Sequence, residues 1–330
     1  LASQDAARRA RSSGLLNISR NPIMNPMEPT IYSQAAAANA ATAAAAASAA
    51  AITRGRSIGV ILIDSGRLSA DNAERILRLQ KEQGKRFGDA AIELGLLTED
   101  DIRFALASQF DYPYLPIGDN SLSHELVAAY KPFSPVVEQL RALRSQLMLR
   151  WFDAEAQRKA LAIVSPGAGE GRSFIAANLA IVFSQLGERT LLIDADLRTP
   201  RQHELFKLGN NAGLSGLLAG RANAEAVVRV PSLLGLSVLP AGAIPPNPQE
   251  LLGRPAFIET LLTVSRDFDV VIIDTPAASE YADAQTIAVR AGAALMLARK
   301  NRSSLPDMAQ LTGSLQQSGA TLVGSVLNDF

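Results

Sequence analysis

Residues 165–174 read Ser-Pro-Gly-Ala-Gly-Glu-Gly-Arg-Ser-Phe. Glycines at 167, 169 and 171 let successive backbone N–H groups turn toward one point, which is how a main chain holds an anion. An apolar run at 161–164 precedes the loop and a helical pattern follows from Ile175, so a helix opening near Ser173 adds its positive end. The pattern G-x-x-x-x-G-K-[ST] would put Gly at 166 and Lys at 172, and this chain has Pro166 and Arg172. Arginine offers phosphate a planar, permanently charged fork where lysine offers a point charge. Ser173 is placed to reach Mg²⁺, and Gly167, Gly169, Glu170, Gly171, Arg172, Ser173 and Phe174 form the candidate nucleotide loop.

Two further stretches place carboxylates after buried-looking runs. Leu192-Ile193-Asp194-Ala195-Asp196-Leu197-Arg198 carries two and then an arginine, and Val271-Ile272-Ile273-Asp274-Thr275-Pro276 carries one. A single aspartate ending a strand is commonly a helix cap, and a single glycine-rich turn is commonly only a turn. Three such features at strand ends suit a nucleotide with its metal, because ligands of a doubly wound sheet sit at the carboxyl ends of its strands.

These residues need a scaffold. Strands are expected at 160–164, 190–194, 236–239, 270–274, 293–298 and 322–327, most of them continuously apolar, with helical stretches between. That pattern predicts an α/β fold, a mostly parallel sheet with helices on both faces. The chain has 330 residues, 48% hydrophobic, with 32 basic and 32 acidic side chains. Zero net charge gives no electrostatic case for nucleic acid. With no cysteine, thiolate metal sites are excluded, and having only His124 and His203 argues against a multi-histidine metal site.

Upstream, residues 34–51 are almost all alanine and too poor in larger apolar residues for a membrane span. Residues 1–53 read as a disordered, Ala-rich N-terminal segment, and the Arg8-Arg9 pair lacks the apolar region a signal peptide needs. An internal repeat follows over 54–115. Ser57-Ile58-Gly59 matches Arg86-Phe87-Gly88, Gly66-Arg67-Leu68-Ser69 matches Gly95-Leu96-Leu97-Thr98, and Leu77 and Gln80 match Leu106 and Gln109, all 29 positions apart. Each copy reads as a short helix, a glycine ending it, and a Ser or Thr capping a second helix, with Asp71 or Asp100 in its first turn. This predicts a small helical repeat domain. Residues 116–135 read as a proline-interrupted linker, and 136–330 as the nucleotide-binding domain.

Residues 133–330 resemble the catalytic domain of bacterial tyrosine kinases (BY-kinases), relatives of the MinD/ParA ATPases. The Walker A loop is matched at 165–173, the Walker A′ motif at 193–198, and the Walker B strand at 270–274. The segment 242–252, Gly-Ala-Ile-Pro-Pro-Asn-Pro-Gln-Glu-Leu-Leu, resembles a family signature. Glu138-x-x-Arg141-x-x-Arg144 resembles the family's oligomerisation motif. GEGRS in place of GEGKS is similar to the EpsG-type chain-length-determinant kinases of exopolysaccharide clusters. The resemblance implies ATP and Mg²⁺ as cofactors. Asp194 would be the catalytic carboxylate and a metal-shell ligand, with Asp196 and Asp274 positioning Mg²⁺. Arg198 would support phosphate or the acceptor, and Asn328 would meet the adenine.

The repeat resembles the MshEN domains of secretion and pilus ATPases, some of which bind cyclic di-GMP. Arg56, Gly59, Gln80, Arg86, Gly88 and Gln109 are the matching candidates, with Ser57, Ala73 and Ala91 departing from the motif. The bland reading is a helical docking domain. Together the resemblances imply a cytoplasmic, homo-oligomeric tyrosine-kinase-like regulator of exopolysaccharide biosynthesis and chain length. It would sit at the inner membrane through a Wzz-like chain-length determinant. A non-kinase MinD-like ATPase switch and a cyclic-di-GMP adaptor are the alternatives.

Overall fold

The computed structural model describes residues 57–109, 114, 115 and 118–329. The Ala-rich segment, Arg56 and Tyr112 lie outside these residues.

Four helices come first: α1 (Ile58–Asp64), α2 (Ala70–Gln83), α3 (Phe87–Glu93) and α4 (Glu99–Gln109). The 29-residue repeat has a direct physical meaning here. Ile61 and Ala90, Leu62 and Ala91, Leu68 and Leu97, and Ile76 and Ala105 are equivalent positions, and all eight are buried in one shared core. Gly66 and Gly95 end α1 and α3 with φ of 71° and 65°, a conformation that favours glycine. Ser69 caps α2 by accepting from Asn72 N at 3.3 Å, and Thr98 caps α4 by accepting from Asp101 N at 3.2 Å.

Residues 118–135, read from their prolines as a linker, instead pack onto the main core. A short helix α5 (Val127–Tyr130) buries Ala128, Ala129 and Tyr130 beside Leu122 and Leu126. Prolines stop a long helix from forming there, but they do not stop the apolar residues between them from finding a core. Buried Asn178 fixes the attachment. Its side chain accepts from Ala128 N at 2.9 Å and donates to Glu125 O at 3.1 Å.

After α6 (Pro135–Arg150) come β1 (Ala160–Val164), α7 (Arg172–Gln185), β2 (Thr190–Asp194), α8 (Gln202–Leu205) and α9 (Leu214–Leu218). Then follow β3 (Val228–Arg229), β4 (Leu236–Leu239), α10 (Pro248–Gly253), α11 (Pro255–Asp267) and β5 (Val270–Asp274). The chain closes with α12 (Asp283–Ala291), β6 (Ala293–Arg299), α13 (Leu305–Gln317) and β7 (Thr321–Asn328). The seven-stranded sheet has the order β3-β4-β2-β5-β1-β6-β7. All pairings are parallel except β3 with β4.

Side-chain alternation sends the two faces of the sheet into two cores. Leu161, Ile163, Leu192 and Ile272 face α6 and α7, while Ala162, Val164, Ile193 and Ile273 face α11, α12 and α13. The expected doubly wound α/β architecture is present. No helix among the described residues is long and apolar enough to cross a membrane.

Candidate nucleotide site

Asp194 ends β2 and Asp274 ends β5, and the two are register partners on adjacent parallel strands. Both are fully buried. Asp194 accepts through one oxygen from Arg201 N at 3.0 Å and Gln202 N at 2.9 Å, and through the other from Asp196 N at 3.2 Å. Burial, and then the neighbouring Asp274 charge, hold the Asp194 carboxyl well above the usual carboxylate range. Burial pushes Asp274 up to about 6, against the hydrogen bond from Gln202 and the nearby Ser173 side chain.

The loop lies between β1 and α7. Gly169 and Gly171 have φ of 69° and 98°. None of the described residues accepts a hydrogen bond from the N–H of Ala168, Gly169, Glu170 or Gly171. Unclaimed donors on consecutive residues, at the start of a fourteen-residue helix, form an anion nest. Gly167 is not part of the nest, contrary to expectation: its N–H donates to Glu170 Oε2 at 2.8 Å. Glu170 likewise braces the loop instead of facing a ligand. It is 2% exposed, and its other oxygen accepts from Ser303 Oγ. A carboxylate turned toward phosphate would repel it, so burial against the loop's own donors is the favourable arrangement.

Arg172 is folded into the loop. Its Nε donates to Thr275 O at 2.8 Å, and its Nη1 donates to Gly167 O at 2.6 Å and to Ser165 Oγ. The guanidinium thus ties the phosphate loop to the chain leaving β5, and among the described residues Nη2 has no hydrogen-bond partner. We expect Arg172→Ala to weaken ATP binding roughly 10- to 100-fold, the worth of one to two charge-assisted hydrogen bonds. Arg172→Lys should recover only part, since an ammonium cannot span Thr275 O and Gly167 O as the fork does. Titration calorimetry decides, and affinity unchanged in Arg172→Ala would leave the arginine a purely structural staple.

Other expected site residues are employed differently. Asp196 accepts from Arg198 N at 3.1 Å, Thr199 N at 2.9 Å and Thr199 Oγ1 at 3.0 Å, so it shapes its own turn. Arg198 pairs with buried Asp283 at 2.7 Å, with its guanidinium 3.5 Å from the Tyr281 ring centroid, instead of reaching into the phosphate loop. Arg144 turns inward: its Nη1 donates at 2.6 Å to Val182 O, near the C-terminal end of α7, where carbonyls lack intrahelical donors. Glu138 and Arg141 pair with each other on α6. Gly59 and Gly88 serve packing, since a Cβ would meet Phe87 at 3.3 Å and Ile102 at 3.2 Å respectively. Arg86 is exposed, while Gln80 and Gln109 are half-buried.

A cleft of about 1080 Å³ opens beside the loop, lined among others by Gly169, Gly171, Phe174, Leu140, Leu143 and Asn328. Asn328 Nδ2 donates to Glu170 O at 3.1 Å, which couples the end of β7 to the loop. The apolar wall from α6 suits a flat base, and the loop suits its phosphates.

Four contributors escaped the sequence reading. Gln202 bridges Ser173 O at 3.1 Å and Asp274 at 2.8 Å, and Arg201 pairs with Glu125 at 2.7 Å. Asp283 holds Arg198, and Ser303 holds Glu170. Each partner lies far away in sequence, so no local spacing pointed to it.

The metal can be tested against this donor set. Among the described residues no three His, Cys, Asp or Glu side chains form a cage. Mg²⁺ in nucleotide sites is held mainly by phosphate and water with one or two carboxylates. Among the described residues Asp274 Oδ1 is buried without a hydrogen-bond partner, and the two carboxyl groups sit side by side on neighbouring strand ends. The residues therefore fit Mg²⁺ arriving with a nucleotide.

Comparison with known proteins agrees with this geometry. Residues 161–330 match the CobQ/CobB/MinD/ParA nucleotide binding domain. The chain is 36% identical over 200 residues to the putative tyrosine-protein kinase CapB of Staphylococcus aureus, covering 60% of this chain and 86% of that protein. It is 35% identical over 206 residues to the tyrosine-protein kinase wzc of Salmonella typhimurium, covering 62% of this chain but only 28% of that protein. Among solved structures, the chimerical protein CapA2B2 superposes with a TM-score of 0.59 at 34% identity, covering 70% of this chain and 98% of the other. The kinase domain of Escherichia coli tyrosine kinase ETK does so at 0.59 and 31% identity, covering 62% and 79%. With its phosphate loop, its paired strand-end carboxylates and these likenesses, the chain belongs to the CobQ/CobB/MinD/ParA nucleotide-binding family and, within it, to the bacterial tyrosine-kinase group.

Proposed function

We propose that this chain is an ATP-dependent protein tyrosine kinase that regulates exopolysaccharide biosynthesis and chain length. The observation that carries the reading is the unclaimed N–H nest at 168–171 together with the buried Asp194 and Asp274 pair on adjacent strand ends. The nest and the start of α7 take phosphate oxygens. Mg²⁺, when bound, offsets phosphate charge, with Ser173 and Asp274 as the residues to hold it. Asp194 is held in place by three backbone donors, and its raised proton affinity suits it to accept the proton of an attacking phenol. The cleft wall of Leu140, Leu143 and Phe174, with Asn328 at its rim, receives the base.

The direct test is γ-labelled ATP with Mg²⁺ and a tyrosine-containing peptide. Phosphotyrosine is expected. Free phosphate with no phosphotyrosine would overturn the kinase reading in favour of a nucleotide-switched ATPase.

The finer reading is an EpsG-type chain-length-determinant kinase working with a Wzz-like membrane protein, carried by Arg172 in GEGRS. In it, residues 57–109 form an MshEN-like unit that lets cyclic di-GMP modulate the enzyme, and the pair Glu138 and Arg141 contributes to a homo-oligomer contact. Adding cyclic di-GMP, or the cytoplasmic part of such a membrane protein, to the same assay tests these layers. Unchanged rates would remove them and leave the kinase.

A further inference from the structure

Three tyrosines lie among the described residues, and their hydroxyls are in different situations. Tyr130 is 8% exposed, and its oxygen both donates to Leu122 O at 3.0 Å and accepts from Leu122 N at 3.1 Å. Tyr114 is wedged edge-on between Phe104 and Phe133, with ring centroids 5.8 and 6.1 Å away, and burial pushes its hydroxyl up to about 12. Tyr281 is 40% exposed on a surface segment with Ser279, Glu280 and Ala282, and its hydroxyl has no partner among the described residues.

Tyr281 also sits at a mechanically informative place. The segment carrying it is tied to the start of the phosphate loop, with Ala278 N donating to Ser165 O at 3.0 Å and Ser279 N to Pro166 O at 2.8 Å. The ring face rests on the Arg198 guanidinium, and Arg198 in turn holds Asp283, which is fully buried. Arg198 N is a donor to Asp196, so this stack is continuous with the turn that follows Asp194.

We propose that Tyr281 is a phosphorylation site of this chain's own kinase chemistry, and that the added phosphate draws Arg198 away from Asp283 and slows the enzyme. The proposal rests on the kinase reading. In the step, the Tyr281 phenol oxygen forms a bond to the γ-phosphorus of ATP held by this chain or a second copy. The bond from that phosphorus to the β–γ bridging oxygen breaks, ADP leaves with the electron pair, and the phenol proton passes to the Asp194 carboxylate of the donating site. The product carries a near-dianion close to a guanidinium, and such pairs are strong, charge-assisted contacts. Asp283 competes for the same cation from a fully buried position. Losing it leaves a desolvated carboxylate unpaired, so the Asp196–Arg198 turn must rearrange.

The test uses the full chain with Mg-ATP and a poly(Glu,Tyr) peptide, followed by mass spectrometry and by the rate of peptide labelling. Phosphate is expected on Tyr281, with the peptide rate of wild type falling at least about threefold as that phosphate accumulates. Tyr281→Phe keeps the ring on Arg198 and should label the peptide at a constant rate. Peptide labelling with Tyr281 unmodified, or phosphate only on other tyrosines, overturns the proposal. Full modification of Tyr281 with an unchanged peptide rate overturns the switch. If neither chain nor peptide is labelled, the kinase reading itself falls, and the proposal with it.

Discussion

Asp194→Asn should lower phosphoryl-transfer turnover by roughly hundredfold or more while changing ATP affinity by less than about threefold. The asymmetry comes from where the carboxylate sits. In the proposed site ATP would be held by the backbone nest at 168–171, by Arg172 and by the cleft wall, none of which includes the Asp194 side chain. An asparagine retains one oxygen for the N–H groups of Arg201 and Gln202, so the turn is kept. What is lost is the negative charge and the proton acceptor. The same substitution should stabilise the nucleotide-free protein at pH 8. Asp274 is raised from 3.8 to about 6 in the folded state. Protonation therefore favours folding: the contribution is complete below about pH 4 and is lost as pH rises through about 6. Above that, Asp274 carries its charge in a fully buried position beside Asp194, a cost on the order of 3 kcal/mol whose largest cause is desolvation. Removing one charge should raise the melting temperature at pH 8 by several degrees, with the gain vanishing near pH 4. Full turnover in Asp194→Asn would end the assignment. A pH-independent stability change would show that the two carboxylates are not coupled.

The scaffold was legible because its strands are buried on both faces. Continuous runs such as Val270–Asp274 mark parallel strands without any alignment. The two-residue β3 offered no run to read. Strand-end aspartates and the glycine loop were legible for the same reason, since each is defined by its immediate neighbours. Partnerships were not. Arg198 follows Asp196 in a phosphate-site motif, and nothing near it announces Asp283, 85 positions away. Gln202 lies just beyond the turn after Asp194 and reaches Asp274 only because β2 and β5 are adjacent. The proline-bearing stretch at 118–135 misled in the opposite sense. Its local chemistry says turn, whereas Leu122, Leu126 and the Asn178 contacts place it in the core.

Gly213→Ala should be among the most damaging single substitutions outside the site, roughly 3 kcal/mol or more, or about 10 °C in melting temperature. Backbone strain is not the cause, for Gly213 has an extended φ of 179° that any residue adopts. The cause is contact. A Cβ on Gly213 would lie 2.3 Å from Pro240 O, 2.4 Å from Gly242 N and 2.7 Å from Gly242 Cα, all backbone atoms with no rotamer to move. The approach is fixed by hydrogen bonds from Leu214 N to Pro240 O and Ser215 N to Ala241 O, both at 2.8 Å. Gly242, with φ of 80°, completes the crossing and opens the 242–252 signature that leads into α10. Forcing the two backbones apart would pull α9 and α10 off the core they share with β2 and β5, through Leu214, Leu218, Leu251 and Leu252. Gly209→Ala is the matched control, because a Cβ there meets nothing within 4 Å. Thermal melts of the two variants decide. Equal, small shifts would mean that the 213–242 crossing can open at little cost, and that the glycine in this family signature answers to something other than the fit of two backbones.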